Sequence, residues 1–429
     1  MDKLLVEGGR SLSGKVHISV SKNSSLPIMA ATLLGEGKTV LKDLPVLRDI
    51  QTFKQLLTNL GGVIETKGRE TLMESSSLKT FFAVYDIVKT MRASILVLGP
   101  LVARYGMGKV SLPGGCAIGT RPIDLHLEGL EKLGARVSLE AGHVLAKASR
   151  LRGNRIALPF PSVGATENVM MASSLAHGES VIENAAREPE IVDLADFINA
   201  MGGKIEGAGT STISIQGVET LTGCSYRPIP DRIEAATYLL AALTCRSSIE
   251  VAGCIPDHIL SLLEILEGLG CRFDRGENSI RIQKPVGGWE HFDSAHGVSK
   301  IIETGPYPSF PTDIQAQLMA FLTSIKGRFS IVETIFENRF MHVAELRRLG
   351  AHITLRGNRA VIEGGGELWA APVMCTDLRA SAALVLAALR AKGRSDILRV
   401  YHLDRGYERI EEKLRGLGAS VERGEGPTV

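Results

Sequence analysis

Leu262-Leu263-Glu264-Ile265-Leu266-Glu267-Gly268-Leu269-Gly270-Cys271 sets apolar residues at helical spacing and then stops at a Leu-Gly pair. A glycine in that place suits a helix C-terminus that ends in the left-handed conformation. The phrase recurs as Leu60-Gly61-Gly62, Leu133-Gly134-Ala135, Met201-Gly202-Gly203, Leu349-Gly350-Ala351 and Leu417-Gly418-Ala419, and the six copies are separated by 73, 68, 68, 80 and 68 residues. Each copy precedes a short stretch of strand character, as in Ala351-His352-Ile353-Thr354-Leu355. The chain is therefore read as six units, each ending helix, glycine stop, strand.

Upstream of each phrase lies a second shared pattern. It runs through a helix rich in small residues, a turn, a strand and a loop rich in Pro, Asp and Arg. Five loops read Lys42 to Asp49, Asn184 to Glu190, Ala252 to Asp257, Thr334 to Arg339 and Val400 to Arg405, and the sixth is the Gly- and Pro-rich segment around Cys116. If the units are equivalent, Cys116, Arg339 and Arg405 occupy corresponding places. A period of this length exceeds the usual solenoids. Two domains of three units each, with small-residue helices packed beneath sheets, is the expected α/β architecture. The two prolines in Tyr226-Arg227-Pro228-Ile229-Pro230-Asp231 mark the expected crossover between them.

Composition narrows the function. In 429 residues, 49 basic and 47 acidic side chains leave a net charge of +2, which is no nucleic-acid footprint, so anion selectivity must come from local clusters of Arg and Lys. No leader or membrane-spanning segment is read in the sequence. Six Cys at 116, 224, 245, 254, 271 and 375 form no Cys-x-x-Cys pair and signal neither a disulfide framework nor a zinc site, so a reducing cytoplasm is expected.

Several residues suggest chemistry on their own. Between Gly115 and Gly119, Cys116 sits on irregular backbone with Arg121 five residues on, and a nearby guanidinium favours a thiolate and can hold an anion. Taken alone, that cysteine reads more readily as an inert residue than as a reactive one, since buried or inert Cys is the common case. Lys22 precedes the apolar run Leu26 to Leu34, with Ser21 and Asn23 as caps, so a cation and a helix N-terminus coincide. Arg92 and Arg379 each precede Ala-Ser at a helix start, where the helix dipole opposes a cation, so an anion or a carboxylate partner is expected for both. Asp313 follows three prolines and is read as a helix cap. His126 and His402 read as packing residues. Gly9 to Lys15 has phosphate-loop spacing, but Val16 stands where Ser or Thr is needed.

Together the segments carry a resemblance. Lys22-Asn23, Val88 to Ser94, Pro113 to His126, Ser162 to Thr166, Ala185 to Glu190, Phe310 to Asp313, Glu337 to His342, Thr376 to Arg379 and Asp404 to Arg409 resemble the signature segments of the UDP-N-acetylglucosamine 1-carboxyvinyltransferases, the enolpyruvyl transferase family of peptidoglycan precursor synthesis. The likeness runs from Asp2 to about Glu422. It implies two inside-out α/β barrels, each of three βαβαββ repeats. One would span residues 22–229 and the other 1–21 with 230–429, with the substrate cleft between them and the Cys116 loop as a lid.

The resemblance also implies a division of labour. Phosphoenolpyruvate carries a phosphate and a carboxylate, and pairing both needs several cations. Lys22, Arg121 and Arg405 would hold the phosphate, with Asn23 beside it, and Arg339 and Arg379 the carboxylate. Cys116 would protonate the enol carbon and could form a covalent adduct. Asp313 would act as base or orienter for the sugar 3-hydroxyl, and Asp377 would relay a proton to the departing phosphate. Asn23, Arg92, Arg121, Pro122, Ile123, Asp124, Leu125, Ser162, Val163, Gly164, Asp313 and Ile335 would contact the UDP-sugar. No metal or organic cofactor is implied, and neither is a nucleic-acid or membrane partner. Arg48 and Phe160 depart from residues common in the family, where Lys is frequent. Retention of Cys116 implies sensitivity to thiol-alkylating epoxides of the fosfomycin type. The alternatives are 3-phosphoshikimate 1-carboxyvinyltransferase, which shares the chemistry, and a non-catalytic UDP-sugar-binding regulator on the same scaffold.

Overall fold

The structure, a computed structural model, describes residues 2–89, 91–112, 123–289 and 298–426. Among these, residues 2–19 and 230–426 form one compact unit and residues 20–112 and 123–229 another. Each has its own apolar core.

All six stop glycines adopt positive φ, at 106° (Gly61), 93° (Gly134), 101° (Gly202), 91° (Gly270), 96° (Gly350) and 98° (Gly418). The helices they close are Arg48–Leu60, Asp124–Lys132, Pro189–Ala200, Leu260–Glu267, His342–Arg348 and Ile410–Gly416. A strand follows each, beginning at Val63, Arg136, Ile205, Arg272, His352 and Ser420. The left-handed glycine turns the chain sharply back, so strand and helix lie against one another.

Six four-stranded sheets result among the described residues. The sheet of the fifth repeat shows the plan. Val298–Glu303 pairs parallel with Gly327–Val332, which pairs antiparallel with Arg359–Gly364, itself antiparallel to His352–Arg356. A parallel pair needs a crossover, and helix Thr312–Thr323 supplies it. The repeat therefore reads β-α-β-α-β-β. The N-terminal strands complete two sheets of the 230–426 unit. Asp2–Glu7 lies antiparallel between Arg394–Leu398 and Ser420–Glu425, and Ser13–His17 runs parallel to Ser248–Ala252.

The layers are inverted relative to an ordinary sheet-centred barrel. Helix Arg232–Thr244 is buried along every residue, and Thr312–Thr323 and Leu378–Arg390 nearly so. These three pack on one another, which their many Ala residues allow. In the other unit the inner segments are Lys22–Ala31, Arg92–Tyr105 and Val163–Ser173. The strands alternate instead: on Arg359–Gly364, Ala360 and Ile362 are buried while Arg359 and Glu363 face solvent. A one-sided sheet outside and all-round apolar helices inside is the arrangement that this burial dictates.

Candidate active site

Asp313 is not a helix cap. Pro311 holds the N-cap position of helix Thr312–Thr323 without a side-chain bond, and Asp313, in the first turn, reaches sideways. Its Oδ1 accepts from Arg339 Nη2 and from Arg379 Nε, both at 3.0 Å. The two arginine side chains are only 5% and 6% exposed, while that of Asp313 keeps 32%. Burial favours the neutral acid, but Arg379 and Arg339, with Arg232 beyond them, outweigh it and hold the carboxyl well below the usual carboxylate range. Burial likewise opposes the Arg379 charge, and Asp313, Tyr407 and Asp231 raise its pKa in spite of it. Two desolvated cations sharing one anion are a site short of negative charge, which suits a further carboxylate or phosphate.

Asp377 is the N-cap of helix Leu378–Arg390, its Oδ1 accepting from the backbone N–H of Arg379 at 2.8 Å and Ala380 at 3.0 Å. That cap fixes the turn from which Arg379 projects. A cation there works against the helix dipole by about 0.3–1 kcal/mol, and Asp313 compensates. Gly406 brings the next arginine close: a Cβ on it would lie 2.7 Å from Leu378 Cδ2, so the turn Val400–Arg405 abuts the start of the same helix and carries Arg405 there. Arg423 holds this turn from behind, donating to Asp404 at 2.7 and 3.1 Å and to Glu411 at 2.7 Å. Tyr407, almost wholly buried, meets Thr237 Oγ1 at 2.9 Å and Gln317 Nε2 at 3.1 Å.

Ile335 is positioned by a residue the sequence reading passed over. Buried Glu333 accepts from Ile335 N at 2.8 Å through Oε1 and from Thr312 Oγ1 at 2.9 Å through Oε2, tying the Ile335 turn to the first turn of the Asp313 helix. His342 lies nearby, 1% exposed, with neither ring nitrogen hydrogen-bonded among the described residues. Burial pushes its pKa down to about 4, and the Asp377 charge opposes this.

The second group of candidates lies in the 20–229 unit. Lys22 opens helix Lys22–Ala31, whose cap is Ser21, and its Nζ sits 3.3 Å from Asp49 Oδ2, both side chains largely buried. Asn23 follows, half-buried. Arg92 begins a 3-10 turn, Ile123 and Asp124 begin helix Asp124–Lys132 with half-buried Leu125 next, and Ser162 caps Val163–Ser173, putting Val163 and Gly164 in its first turn. Asn168 joins these three segments. It bonds Ile95 O at 3.1 Å, Gly99 N at 2.7 Å and His126 Nδ1 at 3.1 Å. Of the sequence candidates, Cys116, Arg121 and Pro122 lie outside the described residues.

The structure therefore groups Asp313, Arg339, Arg379, Asp377, Ile335 and Arg405 in one unit, and Lys22, Asn23, Arg92, Ile123 to Leu125 and Ser162 to Gly164 in the other. Asp49, Glu333, Asn168 and Arg423 were missed. A lone Asn amid the apolar Val163–Ser173 run was the one legible signal among them. Phe160 is exposed. The other cysteines are unreactive in character: burial pushes Cys245, Cys271 and Cys375 up to about 12 and Cys254 to about 11, and raises Cys224 as well. Among the described residues no cluster of His, Cys, Asp or Glu could hold a metal, and no helix is long and apolar enough to cross a membrane.

Residues 6–414 match the family of EPSP synthase (3-phosphoshikimate 1-carboxyvinyltransferase). A curated UDP-N-acetylglucosamine 1-carboxyvinyltransferase of Thermodesulfovibrio yellowstonii is 53% identical over 99% of this chain and all of that protein. One of Trichlorobacter lovleyi is 51% identical over 99% of each. Among solved structures, the enolpyruvyl transferase NikO from Streptomyces tendae superimposes with a TM-score of 0.86 at 22% identity over 99% of both chains. An EPSP synthase from Acinetobacter baumannii does so at 0.75 and 16% over 99% of this chain and 100% of that one. These two likenesses carry the fold.

Proposed function

Because the chain belongs to the EPSP synthase family and, within it, to the UDP-N-acetylglucosamine 1-carboxyvinyltransferases, we propose that it transfers the enolpyruvyl group of phosphoenolpyruvate to the 3-hydroxyl of UDP-N-acetylglucosamine and releases phosphate. The observation that carries this reading is the Asp313 carboxylate held ionised between two buried guanidiniums. Substrate carboxylate arriving at Arg339 and Arg379 takes up part of their positive field, and Asp313 then becomes a better proton acceptor. Lys22, Asn23, Arg121 and Arg405 are assigned to the phosphate. Arg92, Arg121, Pro122, Ile123, Asp124, Leu125, Ser162, Val163, Gly164 and Ile335 are assigned to the sugar nucleotide, together with Asn23 and Asp313.

In the first half of the proposed reaction Cys116 gives a proton to C3 of phosphoenolpyruvate. The acceptor oxygen bonds to C2, and its own proton passes to Asp313. In the second half C3 returns a proton to the Cys116 thiolate, the double bond re-forms, and the bond from C2 to the phosphate oxygen breaks, with Asp377 relaying to the leaving phosphate the proton that Asp313 took from the acceptor. Addition followed by elimination involves no net redox change, so no redox cofactor enters the scheme. The proposal places the protein in the cytoplasm, in peptidoglycan precursor synthesis, and through that in cell shape and division, as a target of fosfomycin-type epoxides.

Phosphate release measured with each acceptor tests the reading. UDP-N-acetylglucosamine should support turnover and 3-phosphoshikimate should not. Turnover with 3-phosphoshikimate alone would move the protein to the other branch of its family, and binding of UDP-N-acetylglucosamine without turnover would make it a regulator.

A further inference from the structure

Asn168 lies in the middle of the Val163–Ser173 helix, fully buried. An Asn there is a poor helix former and its amide is costly to desolvate. Its hydrogen bonds offset that cost, and they also settle something an amide usually leaves open. Side-chain O and N look alike, but Gly99 N–H can only donate, so the atom 2.7 Å from it is Oδ1. The carbonyl of Ile95 can only accept, so the atom 3.1 Å from that is Nδ2. The second hydrogen of the same Nδ2 points to His126 Nδ1 at 3.1 Å. That ring nitrogen must therefore present its lone pair, and the imidazole is neutral with its proton on Nε2.

The neighbours are fitted closely around this pair. A Cβ on Gly99 would come within 2.3 Å of Asn168 Oδ1, and one on Gly164 within 3.0 Å of His126 Cε1 and 3.2 Å of Nε2. Ile95 is three residues beyond Arg92, His126 two beyond Asp124, and Gly164 lies in the first turn behind the Ser162 cap. One buried amide thus holds the three segments assigned above to the sugar nucleotide.

We propose that Asn168 is a positioning residue for the acceptor sugar nucleotide, fixing His126 as the Nε2–H tautomer and locking the segments of Arg92, Asp124 and Gly164 in one arrangement. This rests on the assignment of those segments to UDP-N-acetylglucosamine.

The test has two arms. In full-length protein carrying ¹⁵N-labelled histidine, the His126 ring nitrogens are read by NMR without substrate; Nδ1 should be unprotonated and Nε2 protonated. Asn168→Asp keeps the shape and the bond from Gly99 but puts an acceptor against Nδ1. The proton should move to Nδ1, and KM for UDP-N-acetylglucosamine should rise roughly tenfold, the scale of one lost buried hydrogen bond. KM for phosphoenolpyruvate at saturating acceptor should stay within about twofold of wild type. If Asn168→Asp does not fold, Asn168→Ser is compared with a destabilised control at the buried core residue Ile213, Ile213→Val, both assayed where they are fully folded, and only the former should raise the acceptor KM. A protonated Nδ1 in the wild type, or equal rises in both KM values, would overturn the proposal. Absence of wild-type turnover with UDP-N-acetylglucosamine would instead remove the functional reading and leave the tautomer result standing by itself.

Discussion

Arg379 Nε lies 3.0 Å from Asp313 Oδ1, joining the first turns of two inner helices across 66 residues of sequence. The same carboxylate oxygen serves Arg339. Both arginines are buried and Asp313 is the more exposed partner, so the cations form the floor and the carboxylate the part open to exchange.

Asp313→Asn should lower kcat by about 10²–10⁴-fold, the usual scale for loss of a positioned acid or base, and cost about 1–3 kcal/mol of stability. The folded pKa of Asp313 is depressed, so its contribution is present above the unfolded value of about 4 and is lost only as pH falls through the folded one. The stability gap between wild type and variant should therefore be flat from about pH 8 to about pH 5. Urea titrations at several pH values and a phosphate-release assay check both statements; a gap that closes on going from pH 8 to 5 would contradict the first.

His342 acts with the same sign but in a higher pH window. Its folded pKa of about 4 lies below an unfolded value near 6.5, so the unfolded chain binds more protons between the two and stability falls as the solution is acidified through that window. The loss reaches roughly 3 kcal/mol at its lower end. His258, also lowered to about 4 by burial and by Arg232, acts in the same window. Denaturation of His342→Gln across that range should show part of the slope gone, with His258 accounting for the remainder.

Alkylation should be selective. Five thiols are shifted upward by burial, and a thiol so shifted is a poor nucleophile near neutrality. Native protein treated with a fosfomycin-type epoxide should take one adduct, at Cys116, with activity lost in proportion; mass spectrometry of digested protein locates it. Full modification of Cys116 with activity retained would remove that residue from the proposed proton transfer.

The stop glycines make a test of the repeat itself. Gly134 and Gly202 both have positive φ and nothing within 4 Å of an added Cβ. Their Ala variants should each cost only the left-handed backbone penalty, about 1 kcal/mol. At Gly61 the new Cβ would also meet Lys79 N at 2.5 Å, so Gly61→Ala should cost more. Urea midpoints of the three variants decide it.

These glycines also show why the repeat was legible in the sequence. Each left-handed stop is a local event with a local signature, a Leu-Gly or, once, a Met-Gly pair after a helical apolar period, and it survives divergence of everything between copies. Asp313 was not legible in the same way. Position after three prolines reads as a cap, but the partners that decide its role, Arg339 and Arg379, lie 26 and 66 residues on. Lys22 and Asp49 met for the same reason, through tertiary packing and not spacing. Arg379 stood between: a cation at a helix start is locally awkward, and the sequence could demand a carboxylate for it without saying which one. Glu333 matters through the backbone N–H of Ile335 that it holds, and such a bond leaves no trace in residue order, whereas Asn168 left only the oddity of an amide inside a helical run.

The account turns on enolpyruvyl transfer to UDP-N-acetylglucosamine. Incubating the purified protein with phosphoenolpyruvate and that sugar nucleotide, and following inorganic phosphate together with the mass of the nucleotide product, addresses it directly. The prediction is stoichiometric phosphate and a product heavier by one enolpyruvyl group, both abolished in Asp313→Asn. Recovery of both substrates unchanged, or phosphate formed without the heavier nucleotide, would contradict it.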